Sequence, residues 1–124
     1  MSDLAYPNSS PTFALSERDL GSGQREIGVS GELDLAVAEQ LREAIERCGS
    51  SHILIDLADC EFIDSTGIAV LVRARQASAR EGRLVAAHSP SDQVLRVFEI
   101  TGLTDNGFVF PTRAEALSSA VPPT

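Results

Sequence analysis

Four consecutive residues, Asp64-Ser65-Thr66-Gly67, have the side chains and the setting that phosphate chemistry requires. They lie where an apolar, β-branched run gives way to a helical pattern, so Ser65 falls in the first turn of a helix. Backbone N–H groups in that turn are unpaired and carry partial positive charge, which favours a phosphate on the Ser65 hydroxyl. Gly67 leaves the adjacent surface open to another protein's active site. Spacing alone favours a plain helix cap by Asp64 or Ser65, with Thr66 as a second hydroxyl, because capping serines are common.

The elements that flank these residues are predicted from apolar periodicity. Residues 52–57 are almost continuously apolar and β-branched, as in a buried central strand, and residues 58–63 lead the chain away from its carboxyl end. A helix is predicted over residues 65–80, and Gly82 follows its end. These two elements would present the four-residue motif at one edge of a sheet.

Upstream of the motif, the pattern predicts a hairpin and then a helix. Residues 12–15 and 26–30 are predicted strands around a turn at 18–24, and the Gly31-Glu32-Leu33-Asp34 segment ends the second strand. The helix that follows has three predicted landmarks: an N-cap at Asp34, an apolar face over residues 35–48 and a stop at Gly49.

Downstream, residues 84–87 form a short predicted strand. Ser89 and Pro90 have the chemistry of an N-cap and a first helical residue, and Gly102 ends the helix that they open. The last predicted elements are a strand at 108–110 and a short helix to about residue 120 that begins with a Thr112–Glu115 capping box.

The resulting order, β-β-α-β-α-β-α-β-α, predicts a single α/β domain over residues 12–120. We expect a mixed sheet of about four to five strands, made of the N-terminal hairpin plus βα units, covered by about four helices. Residues 1–11 are predicted to be a flexible N-terminal tail, and residues 121–124 a C-terminal tail.

Composition narrows the range of partners. The chain has 124 residues and a net charge of −8, so it would be repelled by nucleic acid and by an anionic membrane surface. The charge suits a partner with a basic face, and it also suits simple solubility. We expect a cytoplasmic protein with no direct membrane insertion, because the N-terminus lacks a signal peptide and the longest apolar stretch covers only residues 67–72.

The other side chains with chemical potential give weaker patterns. Cys48 and Cys60 fall at apolar positions and are predicted to be buried free thiols. His52 and His88 lie near strand ends without metal-ligand spacing, so we expect surface or strand-end histidines and no metal. The sequence contains neither a P-loop nor a Gly-x-Gly-x-x-Gly motif, and no cofactor is expected.

Four segments together resemble a STAS domain of the anti-sigma factor antagonist family. They are Gly31-Glu32-Leu33-Asp34, Ile53-Leu54-Ile55-Asp56-Leu57, Phe62-Ile63-Asp64-Ser65-Thr66-Gly67-Ile68 and Thr101-Gly102-Leu103. The resemblance covers roughly residues 12–120. Each segment alone is common, but their combination in this strand-to-helix setting is specific.

The resemblance implies a switch. Ser65 matches the serine that an anti-sigma factor, an ATP-dependent serine kinase, phosphorylates in this family. The unphosphorylated domain binds that kinase and frees the sigma factor, and a serine phosphatase resets the switch. The residues that match the surroundings of the phosphoacceptor and the partner-binding surface are Asp64, Thr66, Gly67, Glu32 and Asp34.

Two alternatives stay open. The domain could be a STAS-type scaffold or accessory subunit of another complex, stressosome-like or part of a lipid-transport ATPase assembly, without a sigma-factor role. It could also be an enzyme, but that requires a pocket with convergent titratable groups, which the sequence does not indicate. We therefore expect a regulatory protein and not an enzyme.

Overall fold

Five strands form one mixed sheet in the computed structural model, which describes residues 13–103 and 107–119. The strands lie in the order β1-β2-β3-β4-β5; β1 and β2 are antiparallel, and the later neighbours are parallel. This architecture confirms the predicted mixed sheet and its helices, while residues 1–12 and 120–124, including both predicted tails, lie outside the described residues. The strands are β1 (Phe13–Gly21), β2 (Gln24–Leu33), β3 (His52–Ile63), β4 (Leu84–His88) and β5 (Val109–Phe110), and the helices are α1 (Leu35–Cys48), α2 (Ser65–Arg80), α3 (Asp92–Ile100) and α4 (Arg113–Ser118).

The hairpin strand β1 extends past its predicted end. It continues to Gly21, and the turn is confined to Ser22 and Gly23, both of which have positive φ. The prediction placed residues 18–21 in the turn because they are largely polar. In the structure these residues still pair with β2, and an edge strand tolerates polar side chains that face solvent.

Strand β3 also extends beyond its prediction, to Ile63. Its last half buries Leu57, Cys60 and Ile63, at every third residue. The pairing with β2 is irregular at two places, where β3 has one residue more than β2, so the usual alternation of two is lost. The same pairing carries β2 through to Leu33, so the Gly31-Glu32-Leu33-Asp34 segment continues the strand that it was expected to end.

Helices α1 and α2 have the predicted bounds and pack together on one face of the sheet. Asp34 caps α1 by accepting from the Val37 N–H at 3.1 Å, and Gly49 ends the helix in a left-handed conformation. The apolar face of α1 covers a core in which Ile27, Ile55 and Ala87 lie in register across three strands. Burial of these side chains is the main stabilising contribution on this face.

The start of α3 differs from the prediction. Ser91 is the N-cap, accepting from the Val94 N–H, and the helix begins at Asp92 rather than at Pro90. Ser89 adopts a left-handed conformation with φ of 58°, and its hydroxyl lies 2.8 Å from Nδ1 of His88. The local sequence suits a cap at either serine, and the contact with His88 holds the Ser89 hydroxyl away from the helix.

The second face of the sheet contains a buried ionic network under the short helix α4. Both histidines were expected at the surface or at strand ends. They lie at strand ends, His52 beginning β3 and His88 ending β4, but they are only 3% and 1% exposed. Glu26, itself 4% exposed, accepts from His88 Nε2 at 2.8 Å and from Arg113 Nε at 2.9 Å through one oxygen. Its other oxygen binds Arg18 at 2.9 Å. These contacts link β1, β2, β4 and α4.

The protonation of Glu26 follows from two opposing effects. Burial alone would raise the pKa of the Glu26 carboxyl, but hydrogen bonds from Arg113, Arg18 and His88 outweigh it and lower the pKa to about 2. The carboxylate is therefore ionised at neutral pH. Because its pKa in the folded chain lies below the ordinary 4.5, it stabilises the fold above that pH and loses this contribution as the pH falls toward 2.

We therefore expect the free energy of unfolding to decrease between pH 4.5 and pH 2, by on the order of 2 kcal/mol from Glu26. Arg113→Gln should flatten this decrease, because one of the three donors that lower the pKa is removed. Arg47→Gln is the control, since Arg47 pairs with Glu17 and not with Glu26. Urea denaturation across this pH range measures the effect, and equal slopes in the two variants would contradict it.

Candidate functional site

The candidate site lies at the edge of the sheet where two parallel strands end together. Leu33 at the end of β2 is in register with Ile63 at the end of β3, and a helix begins two residues after each. The two N-caps, Asp34 and Asp64, therefore follow neighbouring strand ends. The sequence predicted the cap at Asp34 and left the second cap open between Asp64 and Ser65, and the structure brings Asp34 and Asp64 to the same edge of the sheet.

Gly67 is required by the close approach of α2 to this edge. A Cβ atom at residue 67 would lie 2.5 Å from the carbonyl oxygen of Leu33, which is shorter than any van der Waals contact allows. The third helical position is occupied by Gly67 in α2, whereas in α1 it is occupied by Val37. Gly67 thus fixes where the first turn of α2 lies, and its role includes packing as well as access.

Asp64 performs the capping. Its Oδ1 accepts from the Gly67 N–H at 2.8 Å and from the Thr66 hydroxyl at 2.7 Å. These two donors, the backbone N–H first, lower the pKa of the Asp64 carboxyl, so the cap is charged at neutral pH. The cap is thereby assigned to Asp64, and the alternative in which Ser65 is the cap is excluded.

Ser65 and Thr66 differ in what their hydroxyls do. Ser65 is the first residue of α2 and is exposed, and within residues 13–103 and 107–119 its hydroxyl has no hydrogen-bond partner. Thr66 is exposed too, but its hydroxyl is committed to Asp64. The unpaired N–H groups of the first turn favour negative charge beside Ser65. The Ser65 hydroxyl is thus the one free to react with an external electrophile.

Acidic side chains lie along the edge of the sheet at which α2 begins. Glu32, predicted as a partner contact, is exposed near the end of β2 and lies opposite Phe62 of β3. A groove of about 600 Å³ runs along the same edge, between the irregular part of β3 and the start of α3. Its lining includes three exposed carboxylates, those of Asp59, Glu61 and Asp92.

Apolar side chains interrupt this acidic surface. Phe62 and Leu35 are 49% and 51% exposed, which is unusual for side chains of this size. A second groove of about 500 Å³ is lined by Phe62, Ile63, Arg96 and Val97, among others, between β3 and α3. The exposure of Phe62 is not evident from the sequence, because an apolar residue within a strand pattern can face either the core or solvent. Its position two residues before Asp64 is what the structure adds.

A metal or cofactor has few possible positions in the part of the chain that the structure describes. Glu26, Asp56 and His88 offer ligand atoms within 4.8 Å of one another. Both oxygens of Glu26 already bind arginines, whose positive charges oppose a cation at this place.

Cys60 is buried as predicted, and burial raises the pKa of its thiol, whereas Cys48 is only partly buried. Across the described residues, no helix combines the length and apolar character needed to cross a bilayer.

The family follows from comparison with known proteins. The STAS domain family matches residues 24–116, which is most of the described chain, and the protein belongs to this family.

Particular relatives agree with this assignment. An anti-sigma-B factor antagonist of Listeria monocytogenes is 35% identical over 97 residues, which are 76% of this chain and 83% of the relative. The crystal structure of an anti-sigma factor antagonist from Mycobacterium paratuberculosis has a TM-score of 0.71 at 28% identity, over 94% of this chain and 97% of that one. SpoIIAA of Bacillus shares the fold in both its unphosphorylated and its phosphorylated form. The unphosphorylated structure has a TM-score of 0.69 at 23% identity, over 86% of this chain and 96% of that one. The phosphorylated structure has a TM-score of 0.64 at 22% identity, over 86% of this chain and 99% of that one.

The packing of Gly67 can be tested through stability. Gly67→Ala should lower the free energy of unfolding by about 1 to 3 kcal/mol, because the added methyl group forces α2 away from Leu33. Thr66→Ala is the matched control one residue earlier, where alanine removes one exposed hydrogen bond and should cost about 1 kcal/mol or less. Urea denaturation followed by circular dichroism compares the two. A Gly67→Ala variant as stable as the parent would refute the close approach.

Proposed function

We propose that this protein is an anti-sigma factor antagonist whose switch is phosphorylation of Ser65. In the unphosphorylated state it binds an anti-sigma factor, which releases the sigma factor that this partner holds. The anti-sigma factor acts as an ATP-dependent serine kinase on Ser65, and a serine phosphatase restores the binding state. The observation that carries the proposal is the free, exposed Ser65 hydroxyl beside a cap that Asp64 alone provides.

The choice of Ser65 over Thr66 rests on the hydrogen bonds of the motif. Phosphoryl transfer requires a hydroxyl that can approach the γ-phosphate in line, with its proton accepted by a base of the kinase. Ser65 meets this condition without any rearrangement. Thr66 would first have to release its exposed hydrogen bond to Asp64, which contributes about 1 kcal/mol or less. Asp64 is a positioning residue here, because it fixes the first turn from which Ser65 projects.

The partner-binding surface proposed here combines the site with its surroundings. It comprises the start of α2, the acidic end of β2 at Glu32 and Asp34, and the apolar side chain of Phe62. An apolar centre with a charged rim is typical of protein interfaces, and the acidic rim suits a basic partner. Curated relatives named as anti-sigma-B factor antagonists favour this function over a STAS-type subunit of a stressosome-like or lipid-transport assembly.

Phosphorylation would act mainly at short range. It adds about −1.5 to −2 charges beside the ionised Asp64 and three oxygens that need solvation or donors. A partner packed against the first turn of α2 would lose contacts and would have to desolvate the phosphate. The helix N-terminus would stabilise the phosphate in the free protein, so we do not expect phosphorylation to unfold the domain.

The phosphoacceptor is tested by incubating the protein with its anti-sigma factor and ATP and locating the phosphate by mass spectrometry. We expect the phosphate on Ser65 in the parent and in Thr66→Ala. Ser65→Ala should accept none and remain bound, while Ser65→Asp should bind at least tenfold more weakly, a loss of about 1.4 kcal/mol. Phosphate retained on Ser65→Ala would place the acceptor elsewhere, and copurification with a transport ATPase instead of a kinase would favour the alternative complex.

The contribution of the acidic rim is tested by reversing one charge. Glu32→Lys should weaken binding of the anti-sigma factor about tenfold or more, chiefly at low ionic strength, where unscreened charges act most strongly. Glu43→Lys is the control, because Glu43 is exposed on α1 and the change in net charge is identical. Isothermal titration calorimetry measures both. Equal losses in the two variants would mean that overall charge, and not contact at Glu32, governs binding.

A further inference from the structure

A chain of hydrogen bonds from Ser89 through His88 to Glu26 lies outside the site described above. The Ser89 hydroxyl is 2.8 Å from Nδ1 of His88, and Nε2 of the same ring is 2.8 Å from Oε2 of Glu26. Glu26 and His88 are buried, and Ser89 is partly exposed at the carboxyl end of β4. A hydroxyl within reach of an imidazole that a third group orients is the arrangement of an activated nucleophile.

The direction of these hydrogen bonds follows from the charge on Glu26. Its carboxylate is held ionised by Arg18 and Arg113, so it can only accept. Nε2 of His88 must therefore carry the hydrogen. In the neutral imidazole this leaves Nδ1 without a hydrogen, and Nδ1 then accepts from the Ser89 hydroxyl. The ring is in the tautomer that a general base for Ser89 needs.

The backbone at Ser89 supports the same interpretation. Its φ of 58° is a conformation that residues other than glycine rarely adopt, and its N–H donates to the Phe110 carbonyl at 3.1 Å. The serine thus stands on a constrained turn directly after a parallel strand, with α3 beginning three residues later. Strained backbone of this kind is concentrated at functional sites. Ser22 is the other described non-glycine residue with positive φ, and it has no histidine partner.

We propose that Ser89 is a nucleophilic serine, a second site of covalent modification that reacts with small activated acyl donors such as acyl phosphates and aryl esters. The Ser89 oxygen forms a bond to the acyl carbon while its proton passes to Nδ1 of His88. The bond from the acyl carbon to the leaving oxygen then breaks, and the leaving group takes the proton from His88 or departs as an anion. The product is an O-acyl serine, and no oxidant or reductant is needed.

The three residues have different roles in this reaction. His88 is the catalytic base, because it exchanges a proton with the reacting hydroxyl. Glu26 is a positioning residue that fixes the tautomer and the orientation of the ring. The proposal is independent of the switch at Ser65, since Ser65 takes no part in the hydrogen-bond chain.

The experiment treats the full chain with p-nitrophenyl acetate and maps the acetyl groups by tandem mass spectrometry. We expect Ser89 to be acetylated at least tenfold faster than Ser22 and Ser65, which are exposed serines without a base. General base catalysis contributes typically a hundredfold or more, so a tenfold excess is a modest threshold. If the parent protein shows equal labelling of the three serines, or no acetyl group on Ser89, the proposal is overturned without any variant.

Variants then separate a catalytic from a structural role. His88→Gln keeps a donor in the place of Nε2 and has no base in the place of Nδ1. The ratio of Ser89 to Ser65 labelling within one sample should fall at least tenfold in His88→Gln, and to a smaller extent in Glu26→Gln, while Ser22→Ala leaves it unchanged. An unchanged ratio in His88→Gln would show that the ring only holds the turn. Ser65→Ala should leave Ser89 labelling unaffected, which separates this test from that of the proposed switch.

Discussion

The close approach of α2 to the end of β2 is the constraint on which the site depends. The parallel pairing of β2 and β3 continues to Leu33 and Ile63, and both strands pass directly into capped helices. The first turn of α2 lies so close to the Leu33 carbonyl that no side chain fits at residue 67, where Gly67 has none. With the backbone of α2 fixed there, Ser65 projects from the opposite side of the first turn and remains exposed. The glycine thus determines where the hydroxyl lies, although it takes no part in its chemistry.

Assignment of the cap to Asp64 has a second consequence. A serine that caps a helix uses its oxygen as an acceptor for a backbone N–H, and loss of such a cap costs about 1 kcal/mol. Here the acceptor is the carboxylate of Asp64, and the neighbouring Thr66 hydroxyl also binds to it. In the proposed switch, modification of Ser65 would therefore leave the hydrogen bonds that Asp64 accepts in place. The residue that would react and the residue that caps the helix are different ones.

How far the sequence predicts this structure depends on the range of the interactions involved. Helices α1 and α2 follow from local periodicity, supported at α1 by the predicted cap at Asp34, so their bounds are predicted correctly. The end of β3 is missed because its burial at Leu57, Cys60 and Ile63 has a period of three, which arises only from irregular pairing with β2.

Long-range contacts account for the remaining differences. The burial of His88 depends on Glu26 and Arg113, which lie 62 and 25 residues away in the sequence and give no local signal. The Ser89 hydroxyl lies against the His88 ring, so Ser89 does not take its expected role as the cap of α3. Likewise, the four-residue motif is evident in the sequence, but the exposed Phe62 beside it is recognised only once the faces of β3 are known.

On an acidic surface, a switch that weakens binding by adding a phosphate needs an explanation. At long range, the added negative charge would attract a basic partner more strongly. The Coulomb energy of two unit charges 4 Å apart is about 1 kcal/mol in bulk water and about 4 kcal/mol at an effective dielectric constant of 20. In the free protein the phosphate is solvated and near a helix N-terminus, so its repulsion from Asp64 is small. In a close complex the same group loses solvent and lies against the first turn of α2, where the larger value applies. In the proposed switch, the effect of the phosphate would therefore come from desolvation and repulsion in the closely packed complex and not from the net charge of the surface.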